Sequence, residues 1–96
     1  MTRDYATAAN WYKSAADQGN PTAQYALGLL CYKGEGIPKD FIAAHMWFDL
    51  AAAHGDKLQP PFTARDAASY RAFVDSKLSK EQLAEAQKRT REWKPQ

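Results

Sequence analysis

Apolar side chains recur at helical spacing along much of the chain. Two blocks of residues share one stripe, in which apolar positions follow the first at i+3, i+4, i+7 and i+8, as on a helix with one buried face. The stripe comprises Ala8, Trp11, Tyr12, Ala15 and Ala16, and it returns 36 residues later at Ala44, Trp47, Phe48, Ala51 and Ala52. The pattern predicts two equivalent helices with Trp11 and Trp47 buried, and no strand pairing between the blocks.

A second kind of helix is predicted between the two copies. Asn20 and Pro21 are the residue types that cap a helix and occupy its first position. Gly28 lies in the middle of this helix, where glycine costs about 1 kcal/mol relative to alanine. We therefore expect a backbone or a large ring to approach it closely. The buried stripe of this helix is Ala23, Leu27, Leu30 and Cys31.

The residues at the ends of the two repeat blocks also match. Asp4 and Asp40 are placed to cap the repeated helices, because a short carboxylate accepts hydrogen bonds from first-turn amides. Gly19 and Gly55 suit the left-handed conformation that ends a helix. Residues 34–36 place two glycines in a compact loop that needs positive φ.

The repeat stops after Gly55, and a stiff, polar connection follows. Thr63 and Asp66 predict a capping box and a helix that runs to about Ser76. Ser79 and Gln82 predict a second box, followed by a helix with a charged outer face. Two mostly polar helices after a repeat are typical of a terminal cap, which keeps a solenoid soluble.

Composition supports helices and excludes several kinds of protein. Eighteen alanines stand beside three valines and isoleucines, which leaves little material for strands. The single cysteine excludes an internal disulfide framework. The net charge of +2 is a poor basis for binding nucleic acid or an anionic membrane, and we expect neither. No apolar run approaches the length of a membrane-spanning helix.

These residues together resemble a known repeat family. Residues 20–55 resemble a Sel-1-like repeat, one of the tetratricopeptide-like α/α solenoids, and residues 4–19 resemble the second helix of another. Residues 63–93 resemble, less specifically, the closing helices of some bacterial members. The positions that carry the likeness are Ala23, Gln24, Leu27, Gly28, Gly34 to Ile37, Asp40, Ala44, Trp47, Phe48, Ala51, Ala52 and Gly55. Cys31 departs from the family, which usually has an aromatic residue there.

The resemblance implies an all-α fold, an α/α superhelical solenoid of about five antiparallel helices with C-terminal capping helices. Sel-1-like repeats would occupy residues 1–57, with a half repeat at 3–19 and a full repeat at 20–55. Residues 58–96 would form a linker and a C-terminal capping helix pair. The compartment stays open: the chain as given would be cytoplasmic, and exported if a signal segment precedes it.

The resemblance also implies a non-catalytic scaffold that binds a protein or peptide on the concave helix face. On the predicted helix that begins at Pro21, helical spacing separates one row of residues from the buried stripe of that helix. The family pattern would turn this row toward the concave wall. The row is Thr22, Tyr25, Leu29, Tyr32 and Lys33. The alternative reading is that other helices, or a second molecule, cover this row permanently.

Other chemistry has little support in the sequence. His45 and His54 lack the spacing of helical zinc ligands, so we expect no metal and no cofactor. We expect Cys31 to be a small buried residue, His45 to lie on the outer face of its helix, and His54 to suit the negative helix end. Two alternatives remain: a hydrolase, by analogy with relatives linked to β-lactam hydrolysis, and a self-associating structural cap.

The incomplete first repeat predicts self-association. The helix that starts near Asp4 is half of a pair, so its missing mate would leave one apolar side bare. Either the chain is cut from a longer solenoid, which is the interpretation we favour, or the bare side pairs with another copy. We expect the isolated chain to associate more strongly than a longer one. Analytical sedimentation at several concentrations measures this, and a monomer that resists concentration would contradict it.

Overall fold

The chain folds into paired α-helices, as the repeat pattern predicts. The computed structural model describes residues 5–57 and 62–95. Within those ranges the helices are α1 (Tyr5–Asp17), α2 (Pro21–Lys33), α3 (Phe41–Ala53), α4 (Ala64–Asp75) and α5 (Lys80–Glu92), with a 3-10 turn at Gly55–Lys57. The described ranges contain no strand, so the predicted all-α solenoid architecture is confirmed. No helix in them has both the length and the apolar character to cross a membrane.

The predicted caps begin α2 and α3. The Asn20 side chain accepts a hydrogen bond from the Ala23 amide at 3.1 Å, and Asp40 accepts one from Ala43 at 3.1 Å. Each bond satisfies a first-turn amide that has no partner within its own helix. The predicted cap at Asp4 lies outside the described residues. Side-chain chemistry alone therefore located the starts of two helices.

Capping boxes begin α4 and α5, also as predicted. Thr63 and Asp66 exchange side-chain and backbone hydrogen bonds, both at 3.2 Å. Ser79 and Gln82 do the same at 2.9 and 3.1 Å. Each reciprocal pair satisfies two amides at once and fixes the direction in which the chain enters the helix.

The glycines that end helices behave in two ways. Gly19 and Gly34 have φ of +94° and +74°, and the Gly34 amide donates to the Leu30 carbonyl at 2.7 Å. The prediction of a left-handed Gly55 is wrong, because this glycine starts the 3-10 turn without a positive φ. A side chain at Gly55 would overlap Ala64, so close packing against the start of α4 explains the glycine.

The core forms where α3 meets α2 and α4. The Phe48 ring is fully buried and stacks on Tyr70, with ring centroids 5.4 Å apart. The ring also lies against Gly28, where an added Cβ would be 2.8 Å from it. The predicted close approach at Gly28 is therefore confirmed, and its cause is an aromatic ring. Helix α3 also packs on α5, while α1 packs mainly on α2.

The two tryptophans of the repeat have opposite environments. Trp47 is buried, and its ring meets Trp93 edge-on at a centroid distance of 6.3 Å. Trp11 is 74% exposed and Tyr12 is 39% exposed, so the prediction that the whole first stripe is buried is wrong. The physical reason is that α3 has helices on several sides, whereas α1 packs mainly on one helix.

A row of polar pairs joins α3 to α4. His45 is only 3% exposed, and its Nε2 lies 2.6 Å from Asp75 Oδ1. His45 Nδ1 and Asp75 Oδ1 lack a partner with hydrogen-bond geometry, so the two side chains are in close contact without a hydrogen bond. One turn away, Arg71 donates to Asp49 at 2.7 Å. The prediction that His45 lies on an outer face is wrong, because α4 packs over that side of α3.

Replacing Gly28 tests the close packing of α2 on α3. Gly28→Ala gains helix propensity worth about 1 kcal/mol, but its methyl group would overlap the immobile Phe48 ring. Overpacking of this kind costs about 1–3 kcal/mol, so we expect net destabilisation in urea unfolding. Adding Phe48→Leu should make the Gly28→Ala change less costly than it is alone. A Gly28→Ala protein more stable than the wild type would contradict this explanation.

Candidate functional site

Tyr25, a predicted partner-binding residue, is covered by neighbouring rings. Its side chain is 4% exposed, and its ring centroid lies 4.8 Å from that of Phe62 and 6.1 Å from that of Tyr70. The expectation of an exposed Tyr25 is therefore wrong: α4 and the residue before its cap cover that side of α2. Burial, with smaller effects from Tyr70 and Asp66, raises the Tyr25 pKa to about 12.

Tyr32 belongs to the same cluster of aromatic rings, and its side chain is half-buried. Its ring lies 5.5 Å from Phe73, 5.9 Å from Tyr70 and 6.2 Å from Phe41, measured between centroids. Three neighbouring rings leave it packed against α4 rather than free on a wall. The sequence placed Tyr25 and Tyr32 on one face correctly, but that face turns toward α4.

Two of the other predicted residues, Leu29 and Lys33, lie on a side of α2 that α4 leaves open. Lys33 is exposed, while Thr22 and Leu29 are half-buried. Leu29 and Lys33 line a cavity of about 350 Å³ between α1 and α2. We call this cavity the α1–α2 groove, and its lining includes Tyr12, Leu29, Leu30, Lys33, Glu35 and Phe62. The structure thus divides the predicted row into a covered part and an open part.

The α1–α2 groove combines an apolar interior with a charged end. Leu29 and Leu30 offer aliphatic surface, and Tyr12 and Phe62 add aromatic surface. At the end of α2, Lys33 Nζ and Glu35 Oε1 are 3.9 Å apart, a loose ion pair in which both side chains reach solvent. Such exposed pairs contribute about 0–1 kcal/mol, so both charges can be redirected toward a bound molecule.

Two lining residues and one buried amide were missed by the sequence analysis. Phe62 precedes the cap Thr63, and a hydrophobic residue at that position commonly packs back on the helix, so this signal was available. Tyr12 was assigned to the core from its period alone. Gln24 is fully buried and donates from Nε2 to the Ala16 carbonyl at 3.2 Å, which ties α2 to the end of α1.

The one cysteine has the properties of a structural residue. Cys31 is 4% exposed, and burial, assisted by Asp40 and opposed by Lys13, raises its pKa to about 12. A thiol with a raised pKa is a poor nucleophile, because the thiolate is the reactive form. Within the described ranges no three His, Cys, Asp or Glu side chains converge as a metal site would require.

Helices that follow one another in packed pairs, with a sequence period of 36 residues, define an α/α repeat solenoid. The Sel1 repeat model matches residues 1–20 and 21–56, which is more than half of the chain. The chain belongs to the Sel1 repeat family. Repeats of this family generally mediate protein–protein interaction.

One curated relative is a fungal protein. The chain is 46% identical, over 46 residues or 48% of its length, to a protein of Malassezia restricta named chitin synthase regulator SKT5. The matched segment covers 3% of that protein. No solved structure matches the chain. Because this relative is fungal, the likeness to bacterial members stays a prediction.

The raised pKa values predict a loss of stability at alkaline pH. The Cys31 thiol has an ordinary pKa of 9.0 and a folded pKa of about 12, so its contribution is complete below pH 9 and is lost as the pH rises toward 12. We expect the free energy of unfolding to fall by up to about 1.4 kcal/mol per pH unit in that window. Denaturant unfolding at neutral and alkaline pH measures it.

Cys31→Ala is the control for this pH dependence. In this variant the free energy of unfolding should no longer decrease from pH 9. A decrease from about pH 10 should remain, because folding raises the pKa of Tyr25 from 10.0 to about 12. If the wild type and Cys31→Ala lose stability in parallel from pH 9 upward, the thiol is not responsible.

Proposed function

We propose that this chain is a non-catalytic interaction module that holds a protein or peptide partner in the α1–α2 groove. The supporting observation is that Leu29 and Lys33, predicted from the sequence, line an open cavity together with Tyr12 and Phe62. An apolar centre beside polar, accessible groups is the usual composition of a protein interface. The groove takes the place of the longer concave row that the sequence suggested.

Exposed aromatic residues on α1 extend this surface. Trp11 and Tyr12 are 74% and 39% exposed, and helical spacing places both on the side of α1 that includes Ala8, another residue of the groove lining. Tryptophan and tyrosine are enriched among the residues that dominate binding energies. A partner seated in the groove would contact Tyr12 directly and reach Trp11 at its edge.

Two further observations favour binding over catalysis. The relative from Malassezia restricta is named a regulator, and binding another protein is one way in which a repeat module regulates. In this chain the raised pKa of Cys31 opposes a role in nucleophilic hydrolysis. Turnover of a chromogenic β-lactam by the pure protein above background would revive the hydrolase alternative.

We also propose that residues 58–96 close the repeat array. Both α4 and α5 pack on α3, and Ala67, Val74 and Ala86 are fully buried. The outer side of α5 carries exposed charged residues, including Lys88 and Arg91. An element with one apolar and one charged face is what a terminal cap requires.

Selection from a random peptide library displayed on phage tests the binding site. Peptides that the immobilised chain enriches are measured by fluorescence polarisation against Tyr12→Ala, Lys33→Glu and Phe73→Ala. Phe73 is 45% exposed and lies on α4 outside the groove, so it is a matched aromatic control. We expect affinity about tenfold weaker for the two groove variants and unchanged for the control. Equal binding by all four proteins, or no enriched peptide, would overturn the proposal.

A further inference from the structure

A second, larger cavity lies on the opposite side of α2. Leu27 and Cys31 project away from Leu29 and Lys33, because two residues along a helix turn about 200°. They form the bottom of a cavity of about 450 Å³, which we call the α1–α3 groove. Its size falls within the range of about 300–1,000 Å³ that is usual for binding pockets. Its walls include Ala9 of α1 and Ala43, Met46 and Trp47 of α3.

The bottom and walls of this groove suit a large apolar side chain. Leu27, Cys31 and Trp47 are each less than a tenth exposed, so they are held in place by the core. Met46 is half-buried, and its flexible thioether adapts to irregular ligands at little cost. A groove with a fixed bottom and one adaptable wall binds an inserted side chain without rearranging the fold.

The charged groups at the rim are mostly positive. Lys13 of α1 and Lys39 of the loop before α3 both line the groove and are exposed. Asp40 is the one carboxylate in the lining, and its side chain is engaged in capping α3 through the Ala43 amide. The rim therefore has two ammonium groups that can pair with an anion, while its carboxylate already accepts a hydrogen bond within the protein.

Both lysines are held weakly enough to change partners. Lys13 pairs with Asp17 at 3.3 Å along an exposed helix face, an arrangement that contributes little because solvent screens it. Lys39 Nζ lies 5.2 Å from the centre of the Phe41 ring, and a cation–π contact of this kind is weak at an exposed position. A carboxylate on a bound molecule can compete with either contact.

We propose that the α1–α3 groove binds an acidic peptide segment of a protein partner. One large apolar side chain of that segment enters the groove over Leu27 and Cys31, and carboxylates on its two sides pair with Lys13 and Lys39. This site is separate from the α1–α2 groove, since the two linings share no residue. A chain with both grooves can hold two different segments at once.

A designed peptide tests this proposal directly. The probe is a fluorescein-labelled peptide with leucine and phenylalanine at its centre and glutamates on both sides. Two comparison peptides replace the glutamates by lysines, or the central pair by alanines. We expect saturable binding of the first peptide, and binding at least about tenfold weaker for the other two. Equal binding of all three, or no binding of the first, would overturn the proposal.

Charge reversal in the protein locates the site. The double variant Lys13→Glu, Lys39→Glu is compared with Lys88→Glu, Arg91→Glu, which makes the same change in net charge on the exposed side of α5. Circular dichroism first establishes that both variants are folded. The first should weaken binding about tenfold or more, and the second much less. Equal losses would mean that net charge alone attracts the peptide, which contradicts a built site.

Backbone amide NMR separates this proposal from the proposed function. Peptide-induced shifts at Lys39, Ala43 and Met46 support the α1–α3 groove. Shifts confined to Leu29, Lys33 and the Phe62 region would overturn it and favour the α1–α2 groove instead. A concentration-dependent mass without peptide binding, with amide shifts on self-association at Lys39, Ala43 and Met46, would show that a second copy occupies the groove, which also overturns the proposal.

Discussion

The structure depends on the close approach of α3 to α2 at Gly28. Because that residue has no side chain, the Phe48 ring lies directly against the helix backbone. The same ring stacks on Tyr70 of α4, with ring centroids 5.4 Å apart. Tyr25 completes the cluster, with its centroid 5.9 Å from that of Phe48. The Phe48 ring thus contacts residues of α2 and α4 at once, and a methyl group at Gly28 would disturb that packing.

The same packing decides which surfaces of α2 remain available. Helix α4 covers the side that includes Tyr25 and Tyr32, and the sides facing α1 are left with open cavities. The two cavities differ in their charged groups. The α1–α2 groove has the loose Lys33–Glu35 ion pair, whereas the α1–α3 groove has two lysines and the carboxylate of Asp40, which caps α3. Two open cavities therefore lie beside this one helix, while its remaining faces pack in the core.

Local chemistry was predictable from the sequence, and the environment of each face was not. The caps at Asn20 and Asp40 and the contact at Gly28 follow from properties of single residues and their neighbours. Tyr25 and Trp11 were misplaced because helical spacing shows which residues share a face, not which helix covers that face. His45 was misplaced for a related reason: a polar side chain is usually exposed, unless a partner such as Asp75 faces it across a helix contact.

The polar row between α3 and α4 also determines how these helices align lengthwise. His45 lies opposite Asp75 and Asp49 lies opposite Arg71, in antiparallel order. A displacement by one helical turn, about 5.4 Å, would set Asp49 against Asp75 in one direction, or His45 against Arg71 in the other. The first displacement would place two carboxylates next to each other, and the second would place the His45 imidazole next to the Arg71 guanidinium. Both neighbouring registers therefore lose the Arg71–Asp49 ion pair and the His45–Asp75 contact, a selectivity that uniform aliphatic packing would lack.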